Sequence, residues 1–198
     1  MLRRAVFFDR DGVINRLVFN AKRGAFDSPY SVSEFRFFPN LRRSLKIIRK
    51  LGFFAIIVSN QPGIAKAIVT QGQFDDLDTW FKKELKRRGV FFDGIYYCFH
   101  HPQAKRKRYR KFCSCRKPNT GLLKRAARKM RICLDASYLI GDRWIDVLAG
   151  KRAGCMTIVV GKPLVSKTKP DFYCDDLLNS AKLIQRIEKE KSNGDIHR

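Results

Sequence analysis

The sequence predicts an α/β fold, a Rossmann-like three-layer sandwich built on a mainly parallel sheet. Two observations predict it. Short apolar runs alternate with segments of helical period along most of the chain. Several of those runs stop abruptly in polar residues, and in a parallel sheet such ends share one edge, where ligands bind. The chain has 198 residues, 44% of them hydrophobic, enough for one domain with a full core. That domain is expected over residues 1–192, with a frayed tail at 193–198.

Residues 5–8 are apolar and form the first strand, followed by Asp9-Arg10-Asp11-Gly12. Residues 16–38 carry Gly24 and Pro29 without clear periodicity and read as a long loop. Leu41, Leu45, Ile48 and Leu51 then recur at helical spacing, with Asn40 as the expected cap and Gly52 at the end. Residues 53–60 form a second buried strand ending in Ser59-Asn60, with Gln61 next. Phe74, Leu77, Phe81 and Leu85 mark a helix over about 70–88, and residues 93–98 a third strand. A helix follows at 121–130, and a strand at 137–142 ends on Asp142. A short helix over 143–152, a strand at 155–160, a short strand at 171–174 and a helix over 177–191 complete the order.

Two carboxylates two residues apart at the end of a buried strand repel unless a cation lies between them. Asp9, Asp11 and Asp142 all fall at the same sheet edge, and together they can hold Mg²⁺, which favours carboxylate oxygens completed by water and phosphate. There Asp9 can attack phosphorus, giving an aspartyl-phosphate, while Asp11 protonates the leaving alkoxide and later activates water. Ser59, Asn60 and Gln61 are placed to bind phosphoryl oxygens, with Arg116 and Lys117 as the cations opposite.

Cys98 and His100, twelve further residues, then Cys113 and Cys115 form a second constellation. Three thiolates and an imidazole can close a tetrahedral structural Zn²⁺ site, bracing a basic loop over 98–115. His100 is preferred to His101 because residues two apart on an extended segment point the same way.

These residues resemble the haloacid-dehalogenase superfamily. Its motifs occur in order as Asp9-Arg10-Asp11-Gly12-Val13, Ser59, Lys117 and the stretch "GDRWID" with Asp142 and Asp146. The stretches "SNQPGIAKA", "FDGIYYCFHHP" and "CSCRKPNTGLL" are similar to those of the D-glycero-D-manno-heptose 1,7-bisphosphate 7-phosphatases. The resemblance implies a capless phosphatase acting on a small phosphorylated sugar. Asp9 would be its nucleophile, Asp11 its acid/base, and Asp9, Asp11 and Asp142 its Mg²⁺ ligands. Arg116, Lys117 and Arg143 would meet phosphate; Arg143 stands where relatives usually carry Lys.

Lys and Arg number 42 against 18 Asp and Glu, a net charge of +24. This brings in two rival readings, a DNA 3′-phosphatase of the same superfamily and a non-catalytic nucleic-acid-binding protein. The basic residues are spread along the chain, and the densest run, 105–111, reads as a solvated loop. Histidinol-phosphatases carry similar zinc loops with a shorter spacer. No apolar run is long enough to span a membrane, and no signal peptide precedes the first strand. A cytoplasmic monomer is the expectation.

Overall fold

The computed structural model describes residues 3–21, 24–161 and 168–194. Six parallel strands form one sheet in the order β5-β4-β1-β6-β7-β8: β5 (Gly94–Cys98), β4 (Phe53–Asn60), β1 (Arg4–Phe8), β6 (Tyr138–Gly141), β7 (Met156–Val160) and β8 (Phe172–Cys174). Strand β1 lies in the middle, hydrogen-bonded to β4 on one side and β6 on the other.

The strand side chains alternate between two cores. Val6 and Phe8 of β1 pack with Leu45 and Ile48 of α1 (Leu41–Lys50), Leu77 and Phe81 of α2 (Gln71–Arg87), and Ala181 and Ile184 of α5 (Leu177–Gly194). Ala5 and Phe7 face the other way, against Leu122 and Ala126 of α3 (Gly121–Met130) and Ala149 of α4 (Trp144–Ala153). Helices on both faces make the predicted three layers.

Three expectations change. The long loop at 16–38 contains an antiparallel hairpin, β2 (Val18–Asn20) with β3 (Ala25–Asp27), closed by an edge-to-face contact of Phe19 and Phe26 at 5.4 Å. Asn40 does not cap α1 with its side chain; it sits in the left-handed region at φ 62°, and only its carbonyl receives the Ser44 amide. Helix α5 continues to Gly194, so residues 193 and 194 of the expected tail are helical, and 195–198 lie outside the described residues. Thr70 caps α2 through a reciprocal box with Gln73, at 3.1 and 2.8 Å.

Helix α5 is pinned to the sheet by Glu188. Its carboxylate accepts from the buried Tyr138 hydroxyl at 2.6 Å and from Lys191 at 2.9 Å, and pairs with Arg4. Burial alone would raise this carboxyl, but the Tyr138 and Lys191 bonds and the Arg4 charge hold it below its ordinary 4.5. A depressed carboxyl contributes stability above that value and loses it as pH falls through the folded one. We expect Glu188→Ala to lower stability by about 2 kcal/mol at pH 7. In urea titrations the gap to the parent protein should narrow at pH 3.

Candidate active site and metal centres

Because the strands run parallel, β1, β4 and β6 end on one edge and deliver Asp9 and Asp11, Ser59 to Gln61, and Asp142 to one place. The loop before α3 adds Arg116 and Lys117, and the first turn of α4 adds Asp146. Lys117 occupies the centre. Its Nζ lies 3.0 Å from Asp9 Oδ1 and 2.6 Å from Asp146 Oδ1, and donates to the Val58 carbonyl at 2.8 Å, with the side chain 0% exposed. The ammonium thus pairs with two carboxylates and donates to one carbonyl. Asp9 Oδ1 also accepts the Arg10 amide at 2.8 Å.

Burial pushes the Asp9 carboxyl up to about 6, against the pull of Lys117. Burial, with the charges of Asp146 and Asp9, raises Asp142 well above the usual carboxylate range. Burial alone would lower Lys117, yet Asp146 and Asp9 outweigh it and hold the ammonium above its ordinary value. The site thus carries more negative charge than Lys117 neutralises.

Asp142 Oδ1 is buried with no hydrogen-bond partner among the described residues. Ligand atoms of Asp9, Asp142 and Asp146 lie within 4.8 Å of one another. An orphaned carboxylate oxygen beside a second carboxylate suits a hard divalent cation. Gly12 makes room for it. The residue has φ 88°, and a Cβ there would fall 2.1 Å from Asp142 Oδ2.

Asp11 departs from expectation. Its carboxylate turns away from the acidic cluster and accepts four donors: Arg10 Nε at 3.0 Å, an Arg10 terminal nitrogen at 3.1 Å, Asn15 Nδ2 at 2.9 Å and Gln61 Nε2 at 2.6 Å. The third carboxylate of the cluster is Asp146, placed there by the α4 N-terminus, where it also accepts the Arg143 amide at 3.1 Å. Burial would raise Asp11, but Arg10 and the Asn15 and Gln61 bonds hold it below its ordinary value. Asn60 also departs. Its amide group donates to the Lys117 carbonyl and accepts the Lys117 amide, both at 3.0 Å, so it clamps that peptide and does not face a phosphoryl group.

The other expected residues converge. Ser59 is buried beside Asp9, and its hydroxyl meets Gln61 Nε2 at 3.1 Å. Arg116 donates to the His100 carbonyl at 3.1 Å, and burial, with the charge of Arg143, lowers its pKa. Asp146 belongs to the "GDRWID" motif, whereas Arg10 and Asn15 are site residues that no motif assigned a role. The signal for Arg10 was its position between two aspartates.

The Cys98, His100, Cys113 and Cys115 donors also gather in one cluster. Five of their six separations run from 3.2 to 3.8 Å, and all four donors lie within 4.8 Å of one another. A tetrahedral ion with thiolate bonds near 2.3 Å separates its sulfurs by about 3.8 Å. The donor is His100 Nδ1, while His101 Nδ1 accepts the Gln103 amide instead. The β4–β5 register pairs Asn60 with Cys98, and Cys115 lies two residues before Lys117, so this cluster abuts the acidic site.

Comparison with known proteins agrees with this geometry. A HAD-hydrolase-like family model matches residues 114–180. The D-glycero-β-D-manno-heptose-1,7-bisphosphate 7-phosphatase of Photorhabdus laumondii is 36% identical, covering 93% of this chain and 97% of the relative. The enzyme of the same name from Escherichia coli K12 is 37% identical over 94% of this chain and 95% of its own. The chain belongs to the heptose-1,7-bisphosphate 7-phosphatase family. An α-anomer phosphatase of that family, also from P. laumondii, is 34% identical over 92% of the chain and 97% of its own length. A HAD-like phosphatase structure from Mesorhizobium loti superposes with TM-score 0.78 at 26% identity, over 95% of this chain and 87% of that one. The fold is also that of the D,D-heptose 1,7-bisphosphate phosphatase from B. bronchiseptica, at TM-score 0.74 and 23% identity over 92% and 98% of the two chains. That structure was solved with magnesium and phosphate.

In this family member the buried cation offers a direct test. Lys117→Met should cost about 3–5 kcal/mol at pH 7.5, because it leaves carboxylates buried without their partner. The raised Asp9 carboxyl takes up a proton as pH falls below about 6. The deficit should therefore shrink at pH 5, which thermal or urea unfolding at the two pH values checks.

Proposed function

We propose that the protein is a single-domain Mg²⁺-dependent phosphatase. It removes the C7 phosphate of D-glycero-D-manno-heptose 1,7-bisphosphate through an aspartyl-phosphate on Asp9. The observation that carries this reading is the environment of Asp9. Its Oδ1 is held by the Arg10 amide and Lys117, which orients the carboxylate at the sheet edge beside the orphaned Asp142 oxygen. The names of relatives at 36–37% identity over nearly their whole length supply the substrate.

In this reading Asp9 and Asp142 hold Mg²⁺ through carboxylate oxygens. Bound there, the ion would neutralise phosphoryl charge and relieve the repulsion between the aspartates. Asp9 attacks phosphorus, and the C7–oxygen fragment leaves as the alcohol, taking from Asp11 a proton that this carboxylate, ionised at rest among its four donors, must first pick up from solvent. Water then adds to the acyl phosphate, with Asp11 as base, and frees Asp9. Ser59 and Gln61 bind phosphoryl oxygens on one side and Lys117 keeps Asp9 in place. Arg116 and Arg143 form the cationic rim that receives the bisphosphate. Asp11, held by four donors, is not a carboxylate ligand of Mg²⁺ in this arrangement.

Zn²⁺ is the ion that best suits three thiolates and one imidazole with no open position. Its role is structural, setting the segment that carries Arg116 and Lys117. A cytoplasmic location is proposed. No helix of the described residues is long and apolar enough to cross a membrane. One chain carries every residue invoked, and the protein is proposed to work as a monomer. In the basic run, Arg106 and Arg110 bond to main-chain carbonyls, which supports a loop-forming role over nucleic-acid binding.

Phosphate release with Mg²⁺ from both anomers of the heptose bisphosphate, histidinol phosphate and a 3′-phosphorylated DNA oligonucleotide tests the assignment. A preference for one heptose anomer is expected, and Asp9→Asn should abolish turnover without unfolding the protein. Preference for the oligonucleotide would replace the assignment. Metal analysis should find about one Zn²⁺ per chain. Stripping it should lower the melting temperature and the activity together, because Lys117 lies in the braced segment.

A further inference from the structure

The Asp11 carboxylate has about four lone-pair sites, and four donors fill them. Its cage is dry: Arg10 is 1% exposed, Asn15 0%, Gln61 3% and Asp11 6%. A carboxylate so saturated cannot also bond a leaving group, so one donor must let go. Two of the four belong to Arg10, which grips both oxygens in a fork. Arg10 is itself fixed. The nitrogen bonded to Asp11 also donates to Gln61 Oε1 at 2.9 Å, and the guanidinium carbon lies 5.8 to 5.9 Å from the ring centres of Phe35, Phe81 and Tyr97. Behind Tyr97, Asp78 accepts the phenol at 2.8 Å and pairs with Lys82 at 2.6 Å.

Gln61 is the donor placed to let go. Its Nε2 reaches Asp11 Oδ2 at 2.6 Å and Ser59 Oγ at 3.1 Å, so it spans the acid/base and the hydroxyl assigned to phosphoryl oxygens. A phosphoryl oxygen arriving at Ser59 competes for that amide hydrogen.

We propose that Arg10 is a positioning residue that fixes the Asp11 carboxylate for proton transfer. Gln61 is the latch, releasing Asp11 Oδ2 when a phosphoryl group takes its amide. The inference rests on the proposed phosphatase reading, with Asp11 as acid/base. It assigns Arg10 no contact with substrate; Arg10 acts through Asp11.

The leaving group separates this role from a merely structural one. An alkyl phosphate needs a proton on its departing alkoxide, whereas p-nitrophenolate leaves without one. The measurements are single-turnover rates on the heptose bisphosphate and the p-nitrophenol burst from p-nitrophenyl phosphate, which reports only phosphorylation of Asp9. In Arg10→Met the sugar rate should fall about 100-fold or more, the size of a general-acid contribution, while the burst rate stays within about threefold. Arg10→Lys, which keeps the charge but loses the fork, should lie between Arg10→Met and the parent. Equal losses on both substrates, or no loss on either, would overturn the proposal. If Arg10→Met does not fold, Asn15→Leu removes one Asp11 donor without removing charge and should show a smaller split of the same sign; equal losses there also overturn it. Gln61→Met should raise KM on both substrates and leave their rate ratio nearer the parent's than Arg10→Met does. A ratio as disturbed as in Arg10→Met would make Gln61 a holder and refute the latch. Failure of the underlying reading looks different: the parent protein itself would show no burst, or one that survives Asp9→Asn.

Discussion

The buried ammonium of Lys117 is the interaction on which the rest of the site depends. It joins Asp9 from β1, Asp146 from α4 and the Val58 carbonyl from β4, so one charged group ties three separately folded segments at the sheet edge. A charge taken fully out of water is tolerated only when every donor finds an acceptor and opposite charge is close. Asn60 then fixes the main chain of Lys117 with two bonds, which makes the lysine's position a property of β4 as much as of its own loop.

That dependence explains the place of the cysteine cluster. The segment carrying Lys117 also carries Arg116, and its residues from 105 to 111 are largely basic. It has some apolar support: Ala104 and Tyr109 are buried with Ile64, Ala65, Val69 and Phe74. The Cys/His cluster gathers the two ends of the loop beside that support, with the His100 ring 6.5 Å from that of Tyr109. Its four donors tie the loop to the end of β5, the strand that pairs with β4. The geometry of the acidic site and the geometry of the thiolate site are thus two parts of one constraint.

The two aspartates of the first motif are relieved in different ways. Asp9 faces Lys117 and the acidic cluster, where burial raises its pKa. Asp11 faces Arg10 and stays ionised below its ordinary value. Opposite-facing partners around residues two apart thus split the properties of two carboxyls that are neighbours in sequence.

How much of this was legible in the sequence follows from the range of the interactions. The apolar runs and helical periods located the strands of the sheet and the five helices because those signals are local. The hairpin over 18–27 was missed: strands of three residues are too short to show a period, and their aromatic pair, Phe19 and Phe26, is exposed. Asp9, Ser59, Lys117, Asp142 and the four Cys/His donors were legible because chemistry at a strand end, or ligand spacing, is written along the chain. The sequence by itself determined which residues reach the edge of the sheet. Only the tertiary structure decided which of them meet: that Asp146 and not Asp11 joins the acidic cluster, that Asn60 turns to the Lys117 peptide, and that Arg10 holds Asp11. The physical reason is that these choices depend on side-chain direction and on the competition of donors drawn from β1, β4 and α4, segments up to 137 residues apart between Asp9 and Asp146.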